Sequence, residues 1–261
     1  MRQQLQSSEA LAVSDGNREN APKGMSHSPK EIVKTGRIWK RSSRDRASTI
    51  ATVCDTLANS YPATRLGNPH DPLADLIYIT VSNRTTPDQA VAAYKQLRSS
   101  IRKWDDLLTV SRRSVEKTLR PAGLNSIKAA FLLGIARSLK ARFGRVTLRP
   151  LSRMTDAQRL EFLTSLPGVS DKVARCVMMY CFNSPVLPVD VHVHRLARRL
   201  GWTSRKRADQ SHDELEALVP RDKRMRFHID AILHGRAVCA SSNPRCSECV
   251  LRPYCHYGRG R

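Results

Sequence analysis

The stretch that decides the fold is LTSLPGVSDKVARCVMMYCF, residues 163–182. Pro167 and Gly168 interrupt apolar residues at helical spacing, which predicts two helices joined by a tight turn. Ser170 or Asp171 can cap the second helix. The apolar face predicted for that helix comprises Val173, Cys176, Val177 and Tyr180. Backbone N–H groups of such a turn can bind a phosphate without reading base sequence, although a proline-glycine turn is also common as a simple connection.

Helix signals continue on both sides of this hairpin. Asp71-Pro72 and Thr86-Pro87 each predict a capped helix start with proline at the first helical position. Gly144 predicts a helix end, and Ser211 with Glu214 predicts a capping box. Because no run alternates convincingly with period two, we expect an all-α fold of about ten short helices in two lobes with a cleft between them.

The charge of the chain predicts a polyanionic partner. The formal net charge is +22 at pH 7, and the basic excess continues through internal segments such as HRLARRLGWTSRKR, residues 194–207. The phosphate backbone of a nucleic acid is the obvious partner for such a field. No apolar run approaches the roughly 20 residues that span a bilayer, so we expect a soluble protein without membrane contact. The first residues lack the features of a signal or transit peptide, which predicts a reducing compartment.

Residues 1–45 are predicted to form a mostly disordered basic arm, because they are rich in Ser, Gln, Asn, Lys and Arg with little periodic apolar content. The segment at its end, KTGRIWKRSSRDR, has two interpretations. It is a solvated linker, or it contacts DNA through its arginines and lysines with Trp39 available for stacking.

Four of the seven cysteines lie near the carboxyl end, in the pattern Cys239-x6-Cys246-x2-Cys249-x5-Cys255. An odd total argues against a disulfide framework. Four thiolates can hold either zinc or an iron-sulfur cluster, and the spacing alone leaves both open. Of the other cysteines, Cys176 and Cys181 are interpreted as small core residues of the hairpin's second helix.

Two further residues suggest covalent chemistry when taken together. Lys172 lies at the start of the hairpin's second helix, and Asp190 lies in LPVDVHVHRLARRLGW, residues 187–202. A partly desolvated lysine near other cations has a lowered pKa and becomes a usable nucleophile, while a nearby carboxylate can stabilise positive charge or accept a proton. Structurally, Lys172 could be an ordinary surface lysine and Asp190 a helix N-cap.

In combination, these segments resemble the endonuclease III family of DNA glycosylases. LPGVSDK, PVDVH, ILHGRAVC and the cysteine quartet occur in the family's order and at its spacing, and the similarity extends from roughly Ser48 to Cys255. The resemblance implies a two-lobed helical domain over residues 46–238, with the helix-hairpin-helix at about 155–181. It also implies an iron-sulfur loop over 239–255 and a basic tail over 256–261.

The same resemblance implies a bifunctional DNA glycosylase and abasic-site lyase of base excision repair that removes damaged, in particular oxidised, pyrimidines. Lys172 would attack C1′ of an extruded nucleotide and form a Schiff base, and Asp190 would support the reaction before β-elimination cuts the strand. The partner would be double-stranded DNA carrying a damaged base or an abasic site, and the protein would act as a monomer. We expect it in the cytoplasm, at the nucleoid, if the source is bacterial or archaeal, and in the nucleus if it is eukaryotic.

Several DNA contacts follow from the resemblance. The hairpin turn would supply Pro167, Gly168, Val169 and Ser170. Leu124, in AGLNSIKAAF, would be a wedge that fills the helix after extrusion, or else a hydrophobic staple. Arg245 and Arg252 would face the DNA backbone from the cysteine loop. His192 matches a family position and could hydrogen-bond near the site.

One departure from the family leaves the substrate open. The family commonly carries a glutamine in an S-A-Q-A-T-like stretch, whereas residues 82–86 read Ser-Asn-Arg-Thr-Thr, so that Arg84 takes the place of the glutamine. A mismatch or modified-pyrimidine glycosylase, acting on uracil or thymine opposite guanine, is therefore an alternative. A DNA-structure-binding protein without chemistry is another. For the quartet Cys239, Cys246, Cys249 and Cys255, the resemblance implies a 4Fe-4S cluster rather than zinc.

Overall fold

The computed structural model describes residues 43–63 and 65–260. The predicted arm over residues 1–45 lies outside the described residues except for its last three, which begin a helix. Among the described residues, those from Thr49 onward form one compact unit. In the described part of the chain, no helix combines the length and the apolar character needed to cross a membrane.

The described residues contain eleven α-helices joined by loops and short 3-10 turns, and they contain no strand. The helices are α1 (Ser43–Ser60), α2 (Pro72–Ser82), α3 (Pro87–Ser100), α4 (Arg112–Thr118), α5 (Asn125–Phe143), α6 (Asp156–Ser165), α7 (Asp171–Phe182), α8 (Val191–Leu200), α9 (His212–Leu218), α10 (Arg224–Ala237) and α11 (His256–Arg259). The predicted all-α class is confirmed.

Most helix boundaries follow the predicted capping signals. Asp71 Oδ1 accepts hydrogen bonds from the backbone N–H groups of Leu73 and Ala74 at 3.1 and 3.0 Å, and Gly144 ends α5 in the left-handed conformation. The predicted capping box at α9 is wrong. Ser211 Oγ donates to the carbonyl of Arg207, because the preceding 3-10 turn places that carbonyl within 3.0 Å.

The buried apolar side chains form two groups. Helices α2 to α7 surround one continuous core, which includes Leu76, Leu132 and Val177. The buried apolar side chains of α1 and α8 lie outside that cluster. On α10, Ile229 belongs to the cluster, whereas Phe227 lies outside it and stacks on Trp202 with ring centroids 5.3 Å apart. Each group removes aliphatic and aromatic surface from water, which is the main force that holds such helices together. The fold is therefore two-lobed, with the hairpin α6–α7 in the first lobe.

Candidate active site

The turn between α6 and α7 fits against α5 because two positions lack side chains. Gly168 has φ +74, and a Cβ atom there would lie 2.3 Å from Cγ of Phe131. Gly134 on α5 leaves space for the ring of Pro167, whose Cγ would lie 3.0 Å from a Cβ at that position. The turn therefore requires glycine for its backbone conformation and for its close approach to α5.

The turn that is predicted to bind a phosphate is exposed in part. Pro167, Gly168 and Ser170 are exposed, and Ser170 Oγ caps α7 by accepting from the N–H of Val173 at 3.4 Å. Val169 does not fit the expectation that the turn supplies it as a DNA contact. Its side chain is buried, and its N–H donates to the carbonyl of Leu166 at 3.2 Å. Val169 therefore stabilises the turn, and its N–H is not free to bind a ligand.

Asp190 is positioned by an irregular segment, residues 183–189, that connects α7 to α8. Side chains of α9 and α10 satisfy the backbone of this segment. The N–H of Leu187 donates to Glu216 Oε2 at 2.8 Å, and the N–H of Val189 donates to His212 Nδ1 at 3.2 Å. These N–H groups are buried or half-buried, and leaving them without a hydrogen bond would cost free energy. The hydrogen bonds therefore fix the path of the segment.

The predicted N-cap role of Asp190 is confirmed. Its Oδ1 accepts from the N–H groups of His192 and Val193 at 2.9 and 2.8 Å. Among the described residues no hydrogen bond reaches the second carboxylate oxygen, Oδ2. One oxygen therefore starts α8, and the other remains available to a molecule in the adjacent pocket.

Lys172 and Asp190 line one pocket with a volume of about 580 Å³. This lies within the range of roughly 300 to 1,000 Å³ that is typical of small-molecule sites. The pocket wall also includes Arg84, Cys176 and His192. The structure thus brings together residues from α7, α8 and the loop after α2 that are far apart in sequence.

The predicted lowering of the Lys172 pKa is wrong. Cys176, and then the carboxylates of Asp190 and Asp75, raise the pKa of Lys172, while burial acts in the opposite direction. Burial raises the pKa of Cys176 to about 11, while the neighbouring ammonium of Lys172 acts in the opposite direction on that thiol. Lys172 therefore rests as a cation and must lose a proton before it can act as a nucleophile.

Sequence reasoning missed several groups in the pocket wall. Tyr180 is buried, its hydroxyl has no hydrogen-bond partner among the described residues, and its ring meets that of His228 edge to face at 6.0 Å. Tyr78 and Arg236 line the same pocket. The motif ILHGRAVC contains Arg236, so its presence in the pocket could have been inferred from that motif. Tyr180 and His228 gave no such signal, because each follows an ordinary helical pattern.

His192 lies in the pocket wall and is held in place by neighbouring residues. Its Nδ1 lies 3.0 Å from Nη2 of Arg195, and a Cβ at Gly235 would lie 2.6 Å from the same nitrogen. Burial lowers the pKa of His192, despite the opposing effect of Asp190. A neutral, fixed imidazole at this position can shape the pocket and offer one hydrogen bond.

Arg84 and Leu124 both adopt left-handed backbone conformations, with φ of 54 and 48. Leu124 is 48 % exposed and the nearby Ile127 is 52 % exposed. A side chain that is half exposed to water is poorly placed to act as a staple onto its own helix, and the wedge role of Leu124 stays a prediction. Ile127 was not predicted as part of this surface.

The four carboxyl-terminal cysteines line one pocket, together with Arg199 and His234. All seven cysteines are free thiols. Cys54 and Cys176 are buried, whereas Cys181 is half-buried, with Sγ 3.5 Å from Oδ2 of Asp75. Within residues 43–63 and 65–260, no three Cys, His, Asp or Glu side chains are arranged to hold a single metal ion.

Hydrogen-bond donors surround three of these sulfur atoms. Arg199 Nη1 lies 3.0 Å from Cys239 Sγ, and the N–H of Gly258 lies 3.3 Å from Cys255 Sγ. His234, which received no predicted role, places Nε2 3.4 Å from Cys249 Sγ, and its Nδ1 lies 2.8 Å from the hydroxyl of Tyr61. Donors of this kind stabilise thiolates, so the donor set fits a cluster held by four cysteines.

The two loop arginines are both exposed. Arg245 pairs with Glu248 at 3.1 Å and donates to the carbonyl of Ala237 at 2.6 Å. The loop therefore holds the guanidinium of Arg245 in place. The N–H groups that these contacts do not use can still bind an anion.

Comparisons with known proteins agree with this geometry. Residues 77–221 match the sequence profile of the HhH-GPD superfamily base excision DNA repair proteins. Endonuclease III of Thermotoga maritima is 31 % identical over 191 residues, which cover 73 % of this chain and 85 % of that protein. Endonuclease III of Escherichia coli is 28 % identical over 200 residues, covering 76 % and 90 %. A solved structure of a trapped endonuclease III–DNA covalent intermediate superposes with a TM-score of 0.73 at 25 % identity, covering 82 % and 98 %.

Proposed function

Because this chain belongs to the HhH-GPD superfamily and, within it, to the endonuclease III family, we propose that it is a base excision repair DNA glycosylase with abasic-site lyase activity. Its substrates are damaged, in particular oxidised, pyrimidines in double-stranded DNA. The observation that carries the proposal is the pocket of about 580 Å³ that holds Lys172 and Asp190 beside the hairpin. The pocket offers an amine and a carboxylate to a nucleotide that has left the base stack.

The chemistry requires a neutral Lys172. Its Nζ lone pair attacks C1′, the glycosidic bond breaks, and the bonding electrons leave with the base, which takes up a proton. The nitrogen then loses one proton, and the C1′–O4′ bond breaks with uptake of a proton by O4′, which leaves a protonated Schiff base. Removal of a C2′ proton then expels the 3′ phosphate by β-elimination, and water releases the sugar fragment from the lysine. The lysine thus both displaces the base and cuts the strand.

Asp190 supports this reaction through the oxygen that is not used in the helix cap. Positive charge develops on the sugar as the base departs, and a carboxylate beside the pocket stabilises it. The same oxygen can accept a proton from the ammonium of Lys172. Because Oδ1 is fixed by two backbone N–H groups, the carboxylate needs little rearrangement during the reaction.

DNA binding uses several surfaces around the pocket. The exposed residues of the turn, Pro167, Gly168 and Ser170, face a phosphate together with the start of α7. Leu124 and Arg84 enter the space that the extruded nucleotide leaves. Arg245 and Arg252 contact the backbone from the cysteine loop. The protein acts as a monomer, in the cytoplasm of a bacterium or archaeon or in the nucleus of a eukaryote.

The cysteine quartet holds a 4Fe-4S cluster, which fixes the loop over residues 239–255 for DNA docking. Cys239, Cys246, Cys249 and Cys255 are its ligands, supported by their shared pocket and by the donors around their sulfur atoms. The cluster supplies structural stability when bound. The distance in sequence from Lys172 and the separate pocket favour this role over participation at the substrate.

Replacing Cys249 by alanine should yield protein without bound iron and without visible charge-transfer absorption, because a cubane cluster needs four thiolates. Iron analysis and absorption spectroscopy of the purified protein measure this. The matched control is Cys54→Ala, which removes a buried thiol outside the quartet and should retain iron. Zinc in place of iron in the wild-type protein would contradict the assignment of the cluster.

A panel of duplexes, each with one lesion, tests the activity and its substrate. We expect strand cleavage at oxidised pyrimidines and at preformed abasic sites, and none in undamaged duplex. A weakened or missing base pair lowers the free-energy cost of moving a nucleotide out of the duplex into the pocket. Single-turnover rates separate the lesions. Absence of cleavage at abasic sites would refute the lyase.

The same panel contains the alternative substrates. Arg84, which replaces a neutral amide by a cation at the pocket wall, favours recognition of a different base or opposite strand. Preference for uracil or thymine opposite guanine would assign a mismatch glycosylase. DNA binding without cleavage of any duplex would assign a DNA-structure-binding protein.

A further inference from the structure

Two separate loops present the side chains that the proposed function places inside the duplex. The first, residues 83–86, follows α2 and carries Arg84, and the second, residues 120–124, precedes α5 and carries Leu124. Both residues have positive φ, 54 and 48, although neither is glycine. A non-glycine residue in this conformation costs of the order of 1 kcal/mol or more, so the surrounding structure must hold it there.

A buried lysine joins the two loops. Lys128, on the first turns of α5, is 3 % exposed. Its Nζ donates to the carbonyl of Val81 at 2.8 Å, to Oγ1 of Thr85 at 2.7 Å and to the carbonyl of Ala122 at 2.8 Å. All three donors of the ammonium group are thus used, and they reach both loops.

Thr85 adds a second connection between the same loops. Its hydroxyl accepts from Lys128 and lies 2.6 Å from the carbonyl of Ala122, to which it donates. Thr85 directly follows Arg84, and Ala122 lies two residues before Leu124. The bonded atoms therefore flank the two inserted side chains closely in sequence.

The chemical nature of the acceptors around Lys128 argues for a role beyond stability. None of the three acceptors is a carboxylate, so the ammonium is buried without a counter-charge. Such burial is costly, and an apolar side chain would fill the space at lower cost. What the ammonium supplies, and an apolar side chain does not, is a fixed distance between three backbone and side-chain oxygens.

On the basis of the proposed function, we infer that Lys128 and Thr85 are positioning residues that fix Arg84 and Leu124 relative to each other for nucleotide extrusion. Neither residue touches the reacting atoms. They act because two side chains from different loops must enter one gap in the duplex together, and an error of about 1 Å in either position weakens that insertion substantially.

Replacing Thr85 by valine tests this inference. Valine keeps the shape of threonine but removes the hydroxyl that Lys128 and Ala122 share. We measure single-turnover cleavage of an abasic site in duplex DNA and in single-stranded DNA, where no extrusion is needed. The ratio of the duplex rate to the single-strand rate should fall about tenfold, as expected for loss of a hydrogen bond to a charged group.

Two controls separate positioning from general loss of structure. Thr80→Val makes the same change in α2, where the hydroxyl donates only to the carbonyl of Leu76 at 2.8 Å, and it should keep the wild-type ratio. Thr85→Ser restores the hydroxyl and should restore the ratio. If Thr85→Val does not fold, as judged by thermal unfolding, Thr85→Ala replaces it. Alanine also removes the hydroxyl but places no methyl group against the ammonium of Lys128.

Combination with Leu124→Ala identifies the residue through which Thr85 acts. In the wild-type background Leu124→Ala should lower the duplex rate, and in the Thr85→Val background it should lower it much less, because coupled residues are not additive. A wild-type ratio in Thr85→Val, or full additivity, would overturn the inference while leaving the proposed function intact. Wild-type protein that cleaves neither form of abasic DNA would instead refute the proposed function, and the inference with it.

Discussion

Replacement of Lys172 by alanine should abolish both strand cleavage at abasic sites and covalent trapping by borohydride. The loss should reach roughly three orders of magnitude or more, because the variant has no amine to form the Schiff base and the steps after it do not occur. Single-turnover cleavage of a duplex with one abasic site measures the first effect. Gel analysis of the reduced protein–DNA adduct measures the second.

Two comparisons show whether the loss reflects chemistry. The Lys172→Ala protein should still bind a duplex that contains a stable abasic analogue, because the turn and the loop arginines remain. Lys140→Ala removes an exposed lysine from the end of α5 and should cleave at the wild-type rate. Undiminished trapping by Lys172→Ala would exclude Lys172 as the nucleophile.

Replacement of Asp190 by asparagine should lower the cleavage rate by roughly 10² to 10⁴, the range observed for groups that transfer protons or stabilise charge. Asparagine also caps helices well, so the fold should be almost unchanged. The charge of Asp190 helps to raise the pKa of Lys172, and its removal should lower that pKa. If the carboxylate only held the lysine protonated, the variant would react faster at neutral pH, so the direction of the change separates the two roles.

A second substitution at the same position distinguishes the cap from the chemistry. Asp190→Ala removes both, and it should cost about 1 kcal/mol of unfolding free energy more than Asp190→Asn. Thermal or denaturant unfolding measures this difference. Equal stability of the two variants would contradict the cap, and full activity of Asp190→Asn would contradict the catalytic role.

The sequence predicted the features that depend on near neighbours. Proline and glycine at 167 and 168, and caps such as Asp71 and Asp190, act within a few residues, so the hairpin and most helix boundaries could be inferred. The predicted cap at Ser211 failed because a 3-10 turn competes for its hydroxyl. Local rules omit such competition between adjacent elements.

Features that depend on tertiary contacts could not be predicted in this way. The direction of the Lys172 pKa shift is set by Cys176, Asp190 and Asp75, and Asp75 comes from α2, nearly one hundred residues away in sequence. The three acceptors around Lys128 likewise come from the end of α2 and from two separate loops. In both cases the physical effect exists only after distant helices have packed.

The role of Lys172 is tested most directly by locating the bond to DNA. Wild-type protein is incubated with a duplex that contains an abasic site, reduced with borohydride, and digested, and the modified peptide is sequenced by mass spectrometry. We predict a single modified residue, Lys172, with the sugar fragment on its Nζ. A modification on another lysine or on the amino terminus, with Lys172 unmodified, would contradict the assignment.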